Sequence, residues 1–163
     1  MHGLVGMNDL TYVVSVLAAL DLGRAAALHR EAFAAVGERG WTRQEIAELL
    51  ATPGVTGLLM QAGDHDVGFA LHRIVADEAE LLTIAVRPTL RRRGAGRRLL
   101  AAAIAQAREA GATSLFLEVA VDNHAARHLY EAAGFQAVGA RAAYYRRSDG
   151  GAADAVVMRL TLN

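Results

Sequence analysis

The feature that most constrains the fold is a change of hydrophobic pattern between residues 79 and 121. Residues 79–86 read as a strand, residues 95–110 place apolar side chains at helical spacing, and residues 114–121 form a nearly unbroken apolar run. Such a run suits a strand that is covered on both faces, as in a parallel β-α-β unit. We therefore predict that strands 79–86 and 114–121 are parallel and that helix 95–110 connects them.

The rest of the pattern predicts five further strands and three further helices in one domain that spans residues 1–163. The strands are expected at 10–17, 55–62, 67–75, 135–139 and 153–162, and the helices at 21–36, at 43–52 and between Asn123 and Gly134. Thr42 and Glu45 form a capping box, with Trp41 and Ile46 as a hydrophobic staple. Short turns between the middle strands imply an antiparallel meander, so we expect an α+β fold around a mixed sheet.

The composition excludes several classes of protein. A single domain of 163 residues buries around 70% of its unfolded surface without cross-links. Without cysteine there is no disulfide, thiolate metal site or thiol nucleophile, which fits a reducing cytoplasm. Seventeen basic residues balance seventeen acidic ones, so we expect neither nucleic acid nor an anionic membrane as a partner. The first ten residues lack a signal-peptide pattern, and no apolar stretch reaches the roughly 20 residues that span a bilayer, so we expect a soluble cytoplasmic protein.

Residues 90–98 combine arginine and glycine between the predicted strand and helix. Unpaired backbone N–H groups and the helix dipole favour an anion at such a position. Gly94 and Gly96 allow close approach of the backbone, and the arginines around them, Arg92, Arg93, Arg97 and Arg98, add positive charge. The alternative is a solvated basic turn that ends in helix-breaking glycines. The sequence contains no Gly-x-x-x-x-Gly-Lys-[Ser/Thr] motif of a P-loop. It also lacks the Gly-x-Gly-x-x-Gly dinucleotide fingerprint, since position 99 is Leu.

Arg91, Gly94 and Gly96 match the [Gln/Arg]-x-x-Gly-x-[Gly/Ala] loop that marks the Gcn5-related N-acetyltransferase (GNAT) superfamily, and the chain is identified as resembling it. From about residue 78 onward it also resembles the RimI-type ribosomal-protein-alanine N-acetyltransferases. The motifs concerned are Thr83-Ile84-Ala85-Val86, Leu117-Glu118-Val119, Asn123, Leu129-Tyr130-Glu131-x-x-Gly134-Phe135, Tyr144-Tyr145 and Asp154-Ala155. The first 40 residues match less well, because Gly40-Trp41-Thr42 replaces a Pro-Trp-Ser-like step and follows a longer segment, 34–39.

The resemblance implies the GNAT fold, with α/β/α layers, a mixed and mostly antiparallel seven-stranded sheet, a splayed parallel pair at its centre and about four helices. It also implies acetyl-CoA as co-substrate, without a metal. The backbone of Ile84, Ala85 and Val86 is expected to pair with the pantetheine arm, and Asn123 to contact that arm. The pyrophosphate is expected to lie against the loop formed by Arg91, Arg92, Arg93, Gly94, Ala95, Gly96 and Arg97.

Two residues suggest chemistry. Glu118 lies in an apolar strand, where a charge without a partner costs several kcal/mol, so something must compensate it. We interpret it as a general base that deprotonates an acceptor ammonium; the alternative is a strand-end glutamate that faces solvent. Tyr130 is either a core aromatic on an apolar helix face or, by the resemblance, the acid that protonates the departing thiolate. Because no cysteine or Ser-His arrangement offers a nucleophile, we expect direct transfer in a ternary complex.

The pKa of an amine indicates which class of acceptor suits a site with one carboxylate. An α-amine with a pKa of roughly 7.7–8.0 is about a tenth neutral at pH 7, whereas lysine, near 10.4, is almost wholly charged. One carboxylate therefore suits an α-amine better, in agreement with the resemblance, which implies a ribosomal protein with N-terminal alanine. The alternatives are a small-molecule amine or lysine acetyltransferase, and a non-catalytic acyl-CoA-binding domain. Since Glu118 and Tyr130 are both present, an enzyme is favoured.

Three aromatic residues are candidates for contact with the acceptor. Tyr144 and Tyr145, which we expect in a polar loop before the last strand, are the better candidates, because adjacent strand residues cannot both face the core. Trp41 is first a helix staple and second a wall of the acceptor groove. His124 and His128 are four residues apart on one helix, as in some metal sites, but no third ligand is in view, so we interpret them as surface or capping residues.

Overall fold

The computed structural model describes residues 11–147 and 149–162, which form a mixed seven-stranded sheet with helices on both faces. The strands are β1 (Val13–Val16), β2 (Val55–Ala62), β3 (His65–Val75), β4 (Glu78–Val86), β5 (Ser114–Ala120), β6 (Gln136–Arg146) and β7 (Ala152–Thr161). The helices are α1 (Leu22–Ala34), α2 (Arg43–Ala51), α3 (Ala95–Glu109) and α4 (His124–Ala132), and short 3-10 turns occupy Ala19–Asp21 and Pro88–Leu90. The predicted α+β fold with α/β/α layers is confirmed.

The strand order is β1-β2-β3-β4-β5-β7-β6, and β4 and β5 are the parallel pair at the centre. Their pairing covers Glu78 with Ser114, Ala79 with Leu115 and Glu80 with Phe116, near the beginning of each strand. Beyond Glu80 and Phe116 the two strands diverge, although β4 stays paired to β3 and β5 to β7. The parallel pair that the sequence predicts is therefore confirmed, and it is splayed at its carboxyl end.

Two hydrophobic cores cover the two faces of the sheet. On one face, α3 contributes Leu99, Leu100 and Ala103 to a cluster that also holds Tyr130 of α4. On the other face, α1 and α2 pack on Leu59, Phe69 and Leu71, and the side chain of Ile46 in α2 is fully buried. None of the helices in the described part of the chain combines the length and apolar character that a membrane span requires.

The sequence prediction is wrong for strand β6, which continues to Arg146 instead of ending near Gly139. Tyr144 and Tyr145 therefore lie on this strand and not in a polar loop. β6 is an edge strand that is exposed along nearly all its length, so its sequence has no apolar alternation that would indicate its extent. The extent is set by backbone pairing with β7. The pairing shifts register between Arg141 and Tyr145, where Ala143 has a φ of 48°. This irregularity lets adjacent tyrosines take positions that a regular strand would not give them.

Other boundaries agree with the prediction to within about two residues. The exception is β1, which begins at Val13 instead of residue 10. The expectation about the first ten residues lies outside the described part of the chain. At α2, the Thr42 hydroxyl accepts a hydrogen bond from the Glu45 N–H at 3.2 Å, as the capping motif predicts. The Glu45 carboxylate itself accepts hydrogen bonds from Arg39.

The loop between α1 and α2 is anchored to the sheet through a buried histidine. His29 Nδ1 accepts the backbone N–H of Trp41 at 2.9 Å, so the neutral ring carries its proton on Nε2, which lies 3.1 Å from Thr83 Oγ1 of β4. The ring is stacked between Phe33 and Trp41, with centroid distances of 4.1 Å and 4.6 Å. This arrangement requires the neutral form, because a protonated Nδ1 cannot accept the Trp41 N–H.

Burial lowers the pKa of His29 to about 4, with a small opposing effect of Glu45 and a small additional one of Arg39. The folded value lies below the unfolded value near 6.5, so the contribution to stability is complete above about pH 6.5 and is lost as the pH falls toward 4. We expect wild-type protein to lose about 2 kcal/mol more than His29→Gln between pH 7.5 and 5, measured by urea unfolding. Equal pH dependence of the two proteins would contradict this assignment.

Candidate active site

The open edge of β4 is the first component of the site. Ile84, Ala85 and Val86 lie beyond the last β4–β5 pair and are paired to β3 alone. The next residue, Arg87, donates its N–H to Val67 of β3 at 2.8 Å. Because successive backbone N–H groups point to opposite edges of a strand, the N–H of Val86 points toward the gap between β4 and β5. An extended chain can form hydrogen bonds along this edge, as an added strand would.

The arginine-glycine loop forms a concave backbone surface at the beginning of α3. Arg92 and Gly94 both adopt positive φ, at 62° and 80°, and such alternation turns backbone N–H groups toward one point. Gly94 is the N-cap of α3, and among the described residues no side chain caps the helix there. A Cβ on Gly96 would lie 3.4 Å from Leu129 of α4, an ordinary van der Waals contact, so an alanine would also fit where the two helices approach. The loop thus presents a helix N-terminus suited to an anion.

The arginines of this loop point in different directions. The guanidinium of Arg91 donates to the carbonyl of Ala32 in α1 at 3.0 Å, and burial lowers its pKa. The side chains of Arg92 and Arg97 are exposed, while Arg98 lies 5.2 Å from the ring centroid of Tyr12. The structure therefore places Arg91 against α1 and leaves exposed guanidinium groups beside the concave backbone.

Glu118 lies on β5 beyond its last pair with β4, with 22% of its side chain exposed. Arg141 of β6 donates to Glu118 Oε1 at 2.8 Å, and its guanidinium also lies 4.2 Å from the ring centroid of Tyr144. Burial raises the pKa of Tyr144, and the Glu118 carboxylate raises it further. The partner that a carboxylate in this strand requires is therefore Arg141, which the sequence analysis did not identify.

Tyr145 is the more buried of the two tyrosines. Its hydroxyl donates to the backbone carbonyl of Glu118 at 2.9 Å, so it links β6 to β5 across the intervening strand β7, at the level of the candidate base. Burial raises the pKa of Tyr145, with smaller contributions from Glu38, Tyr144, Glu118 and Tyr130. The structure thus brings Glu118, Tyr144 and Tyr145 together and adds Glu38 from the α1–α2 loop.

Helix α4 supplies the other two predicted residues. The side chain of Asn123 caps this helix by accepting the N–H of Ala126 at 3.2 Å, which confirms the capping assignment. Tyr130 is 6% exposed and packs edge to face on Phe135, with ring centroids 5.8 Å apart. Burial raises the pKa of Tyr130, so its phenol stays protonated at neutral pH.

Trp41 lies on the α1–α2 loop, stacked on His29, and lines a surface depression of about 320 Å³ with four residues of and around α2: Glu45, Glu48, Leu49 and Thr52. Its packing role is thus visible in the structure. The described residues include no group of three or more His, Asp or Glu side chains arranged to hold a metal ion.

A sequence profile of the acetyltransferase (GNAT) family matches residues 23–135, which include the arginine-glycine loop, Glu118 and Tyr130. The chain belongs to the GNAT acetyltransferase family. Over 106 residues, 65% of this chain and 71% of the relative, it is 41% identical to a ribosomal protein bS18-alanine N-acetyltransferase of Salmonella typhimurium. This GNAT chain is accordingly an N-acetyltransferase that uses acetyl-CoA.

Solved structures agree with the assignment of this GNAT chain. The crystal structure of the ribosomal-protein-S18-alanine N-acetyltransferase of Escherichia coli superposes with a TM-score of 0.85 at 32% identity, covering 94% of this chain and 95% of that one. Ard1 of Thermoplasma volcanium superposes with a TM-score of 0.79 at 25% identity, covering 93% and 98%. The fold predicted from the resemblance is thus shared with the E. coli enzyme.

Sequence reasoning missed Arg141, which pairs with Glu118, and His29, which accepts the backbone N–H of Trp41. A signal for Arg141 existed, since a carboxylate in an apolar strand requires a cation, but seventeen arginines offered no way to choose among them. His29 shows only the pattern of a histidine on an apolar helix face. Its partner Thr83 is 54 residues away in sequence.

Gly94→Ala tests the loop of this GNAT enzyme, with Gly111→Ala as a matched control. Both glycines have positive φ, 80° and 86°, and neither has a heavy atom within 4 Å of an added Cβ. Each substitution is expected to lower the free energy of unfolding by about 1 kcal/mol, because an L-residue is strained at this φ. Only Gly94→Ala should also weaken acetyl-CoA binding, measured by isothermal titration calorimetry. Equal dissociation constants for the two variants would contradict the role of the loop.

Proposed function

We propose that this enzyme transfers the acetyl group of acetyl-CoA to the N-terminal α-amine of a ribosomal protein whose first residue is alanine. The observation that carries the proposal is the similarity, over most of the chain, to relatives named ribosomal protein bS18-alanine N-acetyltransferase. The position of Glu118 at the open end of the β4–β5 gap supports an amine acceptor, since this carboxylate lies where the gap admits a second substrate.

Glu118 is the general base in this proposal. The acceptor arrives as an ammonium ion and must lose a proton before its nitrogen attacks the thioester carbonyl. Glu118 accepts that proton directly or through one water. Arg141 occupies one carboxylate oxygen, Oε1, and offsets the cost of the charge in an apolar strand. An α-amine suits this single base, because about a tenth of it is already neutral at pH 7.

Tyr130 is the proposed acid. The tetrahedral intermediate collapses with rupture of the carbon–sulfur bond, and the leaving thiolate takes the phenol proton. A phenol near pKa 10 donating to a thiol near 8.5 is uphill by about 2 kcal/mol, and burial of Tyr130 makes it a weaker acid still. Proton transfer must therefore accompany bond rupture instead of preceding it. We expect no covalent enzyme intermediate, as the chain has no cysteine and its sequence shows no Ser-His arrangement at recognisable spacing.

The remaining residues bind and orient acetyl-CoA. The pantetheine arm pairs with the open edge at Ile84, Ala85 and Val86, and the Val86 N–H polarises the acetyl carbonyl. Asn123 contacts the same arm while it caps α4. The backbone of residues 92–96, with the exposed guanidinium groups of Arg92 and Arg97, holds the pyrophosphate. Arg91 contributes indirectly, because it fixes the loop to α1.

Three aromatic side chains form the acceptor side of the site in this proposal. Tyr144 and Tyr145 both lie next to Glu118. The Tyr144 hydroxyl interacts with the Glu118 carboxylate, and the Tyr145 hydroxyl donates to the Glu118 backbone carbonyl. Trp41 bounds the same side from the α1–α2 loop, where His29 fixes its position.

Glu118→Gln is expected to lower kcat at neutral pH by at least about 100-fold, because the ammonium keeps its proton. Asp66→Asn is the matched control: Asp66 is equally half-buried, with 19% of its side chain exposed, and is paired with Arg24 on another element. It should retain wild-type kcat despite the loss of an ion pair. Steady-state assays of thiol release measure both variants. Unchanged turnover of Glu118→Gln would remove Glu118 as the base.

A peptide panel tests the acceptor. The protein is incubated with acetyl-CoA and peptides that begin with Ala, Ser or Met, each with one internal lysine, and the added mass is located by tandem mass spectrometry. We expect label on the α-amine and the highest kcat/KM for the alanine peptide. The chain contains no lysine, so any label on lysine belongs to the peptide. Label on lysine alone, or modification of small amines but of no peptide, would refute the N-terminal assignment.

A further inference from the structure

Residues 32–38, here termed the bridging segment, connect the two sides of the β4–β5 gap. Its first residue, Ala32 in the last turn of α1, accepts a hydrogen bond through its carbonyl from Arg91, which follows β4 and the short turn Pro88–Leu90. This contact fixes one end of the segment to the chain that leaves β4. Helix C-terminal carbonyls favour such a cation.

The other end is fixed by Arg147, which follows β6. Its guanidinium donates to the carbonyl of Val36 at 3.3 Å and forms an ion pair with the carboxylate of Glu38. The same guanidinium also pairs with Asp122, two residues after the end of β5. One side chain therefore joins the bridging segment, the carboxyl end of β5 and the β6–β7 hairpin. Since β4 and β5 are parallel, both ends of the segment lie at the splayed end of the sheet.

Two of the three charged side chains of this cluster are shielded from solvent. The side chain of Arg147 is 12% exposed and that of Glu38 is 9% exposed, whereas Asp122 is 58% exposed. Burial raises the pKa of Glu38, and the adjacent Arg147 opposes that shift. Glu38 also lies near Tyr145, whose hydroxyl is bonded to the Glu118 backbone. A buried ion pair contributes little net stability, but removal of one partner leaves a costly charge.

We propose that Arg147 is a positioning residue for the acceptor, and that through Glu38, Asp122 and the Val36 carbonyl it holds the bridging segment across the open end of the β4–β5 gap. This inference rests on the proposed function, in which the acceptor reaches Glu118 from that end. The segment limits how the amine approaches, so its position determines how well an acceptor is oriented. A planar guanidinium with five donors can hold three acceptors at once, which an ammonium group does less well.

The proposal predicts that loss of Arg147 weakens the use of the acceptor and leaves acetyl-CoA binding unchanged. Arg147→Gln should raise the KM for the best acceptor peptide by at least about tenfold, with a smaller effect on kcat and none on the dissociation constant for acetyl-CoA. Arg24→Gln is the matched control, because Arg24 also joins α1 to a distant element, through Asp66 at 3.0 Å and 3.1 Å, but at the opposite end of the helix. An equal rise in KM for Arg24→Gln would overturn the proposal.

Arg147→Gln leaves Glu38 buried without its cation, so a second variant guards against simple destabilisation. Arg147→Gln/Glu38→Gln removes both charges, and its effect on the acceptor KM should be smaller than the product of the two single effects, because they disrupt one cluster. Arg147→Lys should restore part of the wild-type KM. If the acceptor KM of the double variant instead rises by the product of the two single effects, Arg147 and Glu38 act independently, and the proposal is overturned.

Hydrogen exchange distinguishes failure of this inference from failure of the proposed function. Amide exchange across residues 33–41 should accelerate in Arg147→Gln and stay at the wild-type rate in Arg24→Gln, whichever amine the enzyme acetylates. If the peptide panel identifies a different acceptor, the kinetic comparison is repeated with that amine. Unchanged exchange in Arg147→Gln would refute the positioning role even where N-terminal acetylation is established.

Discussion

The separation of β4 and β5 is the constraint on which the site depends. Only three residue pairs join these strands, and beyond Glu80 and Phe116 each is held from its outer side alone. β4 remains paired to β3 through Val86, and β5 is paired to β7 along its whole length. The gap between them is therefore built from two rigid strands and not from loops. An open backbone edge and a carboxylate consequently face one opening at fixed positions, as a catalytic arrangement requires.

Arginine supplies all seventeen basic side chains of the chain, and several of them join elements that the backbone leaves separate. Arg141 binds Glu118 and lies over the ring of Tyr144, while Arg147 binds three acceptors from two segments. A planar fork of five donors is suited to such shared contacts. Several acidic side chains are thus paired locally at the splayed end of the sheet, where carboxylates would otherwise be costly to bury.

The sequence was sufficient to predict elements whose signals are local. The apolar spacing of 95–110 and the unbroken run at 114–121 predicted α3, β5 and their parallel relation to β4, because these patterns report burial directly. Strand β6 was underestimated, since an exposed edge strand has no apolar alternation and takes its extent from β7. Arg141 and Arg147 could not be assigned for a different reason. Their partners lie 23 and 109 residues away, and a register shift in β6 decides where Arg141 points.

The α1–α2 loop, where the sequence departs most from the family pattern, is anchored at two positions by different physical means. At Trp41 the anchor is uncharged: a stacked, buried histidine that links the loop backbone to Thr83 of β4. At Glu38 the anchor is an ion cluster tied to the chain that follows β5 and β6. The longer stretch 34–39 lies in the bridging segment, whose two anchors, at Ala32 and Glu38, lie on opposite sides of the β4–β5 gap. A change of its length therefore alters the segment that crosses the opening and leaves the open edge of β4 unchanged. Acceptor preference can therefore diverge in this segment while the chemistry proposed for Glu118 and Tyr130 stays the same.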